Sequence, residues 1–98
     1  MYASITRLTP KLGQIDAALT AWRAAWAEQQ MPPANLHTYL LVDRLRGEIV
    51  VVGLWDDEAA ATAFDTSAEV ERVRSALRPF LDADALADRR VYEVAEAH

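Results

Sequence analysis

The hydrophobic positions are densest at residues 48–55, Glu-Ile-Val-Val-Val-Gly-Leu-Trp. β-Branched and aromatic side chains fit a pleated surface, and the lack of clean alternation predicts a strand covered on both faces. Residues 2–9 alternate in type and stop at Pro10, so they read as a first strand. Between residues 14 and 30 the large apolar groups Ile15, Leu19, Trp22 and Trp26 are spaced four, three and four apart, which is one face of a helix. Pro32 and Pro33 end it, because proline cannot donate a backbone hydrogen bond and pushes the residue before it out of helical geometry.

Residues 35–44 form a second strand, and the Arg46-Gly47 turn returns it antiparallel into residues 48–55. Asp56 is placed to cap a helix running through Phe64, and Thr66-Ser67-Ala68-Glu69 has the capping-box pattern for another. Val70, Val73, Leu77, Phe80 and Leu81 make the buried stripe of that second helix, which Pro79 ends or kinks. Residues 82–88 read as a polar connection with one helical turn, and residues 89–94 as a last strand.

Strand, helix, strand, strand, helix, strand is the split βαβ, ferredoxin-like arrangement, an α+β fold with a four-stranded antiparallel sheet and helices on one face. A single domain over residues 1–98 is expected, since that length leaves no room for a second core. The helices suffice for one sheet face, whereas the central strand is apolar on two. A second copy is expected to pack its sheet there, giving a homodimer.

Composition narrows the function classes. A net charge of −5 argues against a nucleic-acid binder, which needs clustered cations to neutralise phosphates. No cysteine occurs, so disulfides and thiolate metal sites are excluded. The chain has neither a leader-like start nor an apolar run long enough to span a bilayer, so a cytoplasmic protein without a membrane partner is expected. Asp56-Asp57-Glu58 fits a cap and the helix dipole better than a metal site, and Gly13, Gly47 and Gly53 form no phosphate-cradling pattern.

The strand order, the Thr-Arg-Leu-Thr-Pro-Lys-Leu-Gly of residues 6–13, Tyr39, and the strand ending Val-Val-Val-Gly-Leu-Trp followed by Asp-Asp-Glu-Ala-Ala-Ala carry a resemblance. They resemble the dimeric α+β barrel proteins of the antibiotic-biosynthesis monooxygenase type. That resemblance implies a cofactor-independent monooxygenase acting on a small aromatic or quinol compound. Its alternative is a non-catalytic barrel that binds a small apolar molecule. Haem-degrading members use an Asn, a Trp and a His where this chain has Thr6, Phe64 and Arg74. Arginine has no lone pair for iron, so haem degradation is not expected and no cofactor is implied.

Two readings stand for each candidate residue. His37 can act as the base that takes a phenolic proton, or be a hydrogen-bonded histidine on a sheet face or at the dimer seam. Trp22 and Trp26 can stack on a planar ligand or fill the core, with Phe64 and Leu77 opposite and few polar groups between. Tyr39 and Tyr92 can orient a substrate or only pack. Arg74 can hold an anion at the pocket mouth or pair with Glu71 or Asp88, and Arg89-Arg90 reads as a solvated rim.

Overall fold

The computed structural model describes residues 1–82 and 88–98. Four strands, β1 Tyr2–Leu8, β2 Asn35–Asp43, β3 Glu48–Trp55 and β4 Asp88–Glu93, form one sheet in the order β2-β3-β1-β4. Every neighbouring pair is antiparallel. The helices are α1 Ile15–Ala27, α2 Glu58–Phe64 and α3 Ala68–Leu77, followed by a short 3-10 turn, Arg78–Phe80, with Pro79 inside it. This is the expected ferredoxin-like α+β arrangement. Residues 83–87, where a helical turn is expected, lie outside the described residues.

The helices lie on one face of the sheet. Leu8, Ala18, Leu19, Ile49, Val73 and Leu77 are buried together, joining β1 and β3 to α1 and α3. Arg72 of α3 donates to the Ala25 carbonyl at 3.1 Å and to Gln29 Oε1 at 3.1 Å, which ties the two long helices at one end. At the other end Lys11 N–H donates to the Phe80 carbonyl and Asp82 N–H to the Thr9 carbonyl, each at 2.8 Å.

Several boundaries differ from the sequence reading. α1 stops at Ala27 rather than Gln30, and the Gln29 N–H closes a tight turn onto the Trp26 carbonyl ahead of the prolines. The cap of α2 is Asp57, whose carboxylate accepts from Ala60 N–H at 3.3 Å, and the cap of α3 is Ser67, not Thr66. β4 runs one residue earlier than expected at both ends.

Register divides the sheet's side chains between its faces, because alternate residues point to opposite sides. Ser4, Thr6 and Leu8 share the helix side with Ile49, Val51 and Trp55. The opposite face carries three ladder rows: Leu41, Val50 and Arg7; Tyr39, Val52, Ile5 and Arg90; His37, Leu54, Ala3 and Tyr92. No helix covers that face among the described residues, and Tyr39, Leu41 and Tyr92 are each about half exposed.

Candidate functional site

Between the sheet and the helices lies a cavity of about 300 Å³. Its roof comes from α1 and α3. The period of α1 turns Trp22 and Trp26 inward one turn apart, and their rings stack with centroids 4.8 Å apart and planes 12° from parallel. Val70, Val73 and Leu77 of α3 continue this apolar wall, and Met31 and Phe64 close one side. Phe64 leans on Trp55, with ring centroids 5.5 Å apart.

The floor is more polar than its strands suggest. Ser4 and Thr6 face the cavity from β1, Thr38 from β2 and Arg89 from β4. Ser4 is buried, and its Oγ accepts from Trp55 Nε1 at 3.0 Å. That bond folds the indole back over position 53. A Cβ there would sit 2.7 Å from both Ser4 Oγ and Trp55 Nε1, so only glycine leaves the passage open. Thr38 Oγ1 donates to Asn35 Oδ1 at 3.2 Å, beside a β-bulge.

Charge enters at one flank. Arg74 Nη1 donates to the Asp65 carbonyl at 2.9 Å, and its Nη2 pairs with the Asp65 carboxylate. This corrects the expected partners Glu71 and Asp88. Arg89 corrects the reading of a solvated rim more strongly, because its side chain is only 8% exposed. Its Nη2 donates to the Ala61 carbonyl at 2.7 Å, while its Nε lies 3.9 Å from the Asp65 carboxylate. Burial lowers the Arg89 pKa; Asp65 opposes that shift and Arg74 adds to it. Arg78 also lines the cavity but donates to Glu71 at 2.8 Å, and this hydrogen bond lowers the Glu71 pKa. Arg90 turns outward to Asp88.

The structure thus brings Thr6, Trp22, Trp26, Phe64 and Arg74 together around one cavity. It leaves out the other three candidates. His37, Tyr39 and Tyr92 lie on the uncovered sheet face, with His37 and Tyr39 in ring contact at 4.4 Å. A base must come within hydrogen-bond reach of the proton it removes, and His37 is a sheet thickness away from the cavity. Sequence reasoning missed Ser4 and Thr38, read Trp55 as packing at the end of the central strand, and read Arg89 as rim. For Arg89 the signal was available in the period-two spacing to Val91, which shares its face. No group of three His, Cys, Asp or Glu among the described residues can hold a metal, and no helix among them is long and apolar enough to cross a membrane.

No family model and no curated protein matches this chain. Solved structures do match it. One named an antibiotic biosynthesis monooxygenase superposes with a TM-score of 0.76 at 20% identity, covering 98% of this chain and 100% of its own. SnoaB from Streptomyces nogalater, a cofactor-independent oxygenase in its N63A form, gives 0.65 at 16% identity, covering 98% and 94%. The NE2512 protein of unknown function from Nitrosomonas europaea gives 0.78 at 18% identity, covering 99% and 91%. At these identities the likeness fixes the fold, which is that of the antibiotic biosynthesis monooxygenase structures.

Proposed function

From that fold we propose a cofactor-independent monooxygenase acting on a small aromatic or quinol compound held in the cavity. The observation that carries this reading is the stacked Trp22–Trp26 pair forming one wall of a cavity whose opposite floor is polar. Such a space takes a planar ring against the indoles and reads its oxygen substituents from below. Its volume of about 300 Å³ suits one small ring system. The oxygenase named among the structural neighbours supports the reaction class.

The chemistry requires the substrate to become electron-rich. In an anthrone, loss of a proton from the ring methylene, which is conjugated with the carbonyl through the fused rings, gives an anion that passes an electron to dioxygen, and the two radicals combine at that carbon to a peroxide. The peroxide then loses water. One oxygen atom ends in the new carbonyl and the other in water, and the four electrons come from the two C–H bonds of the methylene. The chain contributes binding, exclusion of water and a cationic flank at Arg74 and Arg89 that favours the anion. With no histidine on the cavity, ionisation rests on this field and on water, which is electrostatic stabilisation of developing charge.

A second reading, a barrel that binds a small apolar molecule without turning it over, is favoured by the position of His37 on the other face. Oxygen uptake against a panel of anthrones and hydroquinones separates the two. The expected outcome is uptake above the buffer rate that falls in Trp22→Ala. Tryptophan quenching by the same compounds without oxygen uptake would leave the binding protein.

A further inference from the structure

Arg89 is the most unusual residue of the cavity. A guanidinium carries five N–H donors. Among the described residues this one makes a single hydrogen bond, to the Ala61 carbonyl, although its side chain is 8% exposed. The nearest carboxylate among the described residues, Asp65, stands 3.9 Å from its Nε, beyond hydrogen-bonding distance, and is already engaged by Arg74 through both its carbonyl and its carboxylate. Among the described residues, the two guanidiniums therefore share the Asp65 carboxylate. Buried charges in folded proteins are ordinarily paired and hydrogen-bonded, because desolvation is otherwise uncompensated.

The neighbouring donors belong to the same strip. Thr6 is the register partner of Arg89 across the β1–β4 ladder, faces the same cavity, and has no side-chain hydrogen bond among the described residues. Ser4, two residues earlier on that face, accepts from Trp55 Nε1 and keeps its own O–H to donate. Arg74, Arg78 and Asp82 also line the cavity. Arg78 is turned to Glu71, and the Asp82 backbone is pinned to Thr9, three residues past Thr6.

We propose that Arg89, with the hydroxyls of Thr6 and Ser4, is an oxyanion subsite that takes the ionised oxygen of a planar aromatic acid, whether phenolate, enolate or arene carboxylate. The ring then lies against Trp22 and Trp26. The inference rests on the cavity's being the ligand site. It gives that ligand a charge and an orientation, with the anionic oxygen toward β4 and the ring beneath α1.

The test is a binding comparison on the whole chain, followed by tryptophan fluorescence and calorimetry. The probes are the hydroxynaphthoquinone lawsone, ionised at neutral pH, its neutral parent naphthoquinone, and naphthoate. The chain has no cysteine thiol for a quinone to arylate. Hydrogen bonds to a charged group predict that lawsone and naphthoate bind about ten- to a hundredfold tighter than the neutral quinone. In Arg89→Met that preference falls to near one, and in Thr6→Val it falls in part. If Arg89→Met does not fold, acidification of the wild-type complex takes its place. Lawsone binding must then weaken as the ligand itself is protonated, while the neutral quinone is unaffected. Equal binding of charged and neutral probes, binding of neither, or a preference that survives Arg89→Met overturns the proposal. Anion preference without oxygen uptake refutes the monooxygenase reading and leaves this subsite standing, whereas uptake with equal binding does the reverse.

Discussion

Gly53 owes its place to what lies beside it rather than to its backbone angles. The Trp55 indole reaches back across it to Ser4, and both polar atoms lie 2.7 Å from where a Cβ would stand. Gly53→Ala is expected to cost about 1–3 kcal/mol, the range for forcing an extra carbon into a packed site. Ser4→Ala removes the acceptor of a buried indole N–H and is expected to cost about 1–3 kcal/mol as well. Urea unfolding of the two variants checks both values. A neutral Gly53→Ala would mean that the indole is not fixed. Neither residue stands out in the sequence, where Gly53 only interrupts an apolar run and Ser4 is one small polar position in an alternating strand. Their relation appears only once β1 and β3 are side by side.

At the scale of elements, α3 ties the cavity wall to the turn before it. Ser67 Oγ accepts from Val70 N–H at 3.2 Å and donates to the Phe64 carbonyl at 2.7 Å, so one hydroxyl ends α2 and starts α3. Thr66 Oγ1 donates only to the Ala63 carbonyl at 3.2 Å, at an exposed position. Ser67→Ala is therefore expected to cost about 1–2 kcal/mol of stability, as lost N-caps do. Thr66→Ala should cost clearly less. Thermal unfolding of both decides it, and the reverse order would return the cap to Thr66. The helices themselves were legible, because Ile15, Leu19, Trp22 and Trp26 repeat at a helical period and Val70, Val73 and Leu77 do so again. Cap positions were not. Asp56 and Asp57, like Thr66 and Ser67, share the same cap chemistry, and the local path of the chain chooses between neighbours.

For the whole molecule the unread quantity was the parity of the strands. Leu36, Thr38 and Leu40 are no more apolar than His37, Tyr39 and Leu41, so composition could not say which set meets the helices. The structure turns Thr38 and Leu40 inward and leaves His37, Tyr39 and Leu41 on the uncovered face beside Val50, Val52 and Leu54. We expect that face to pack against a second copy. Sedimentation at micromolar concentration should give about twice the 10.9 kDa chain mass. Val52→Glu, at the centre of the face, should give a monomer through like-charge repulsion across the seam. A wild-type monomer at that concentration would sink the expectation.

The paired arginines of β4 also bear on how the sheet resists error. A one-residue slip of a strand moves every side chain to the other face. Here such a slip would replace Arg89 by Arg90 on the helix side, so the cavity would keep a cation, and charge alone cannot tell the two pairings apart. Tyr92 and Val91 break that degeneracy. The slip would drive the tyrosine into the cavity beside Ser4 and leave the smaller valine outside. The fidelity of the β1–β4 pairing thus depends on the bulk of an aromatic ring three residues beyond the guanidinium whose placement it guarantees.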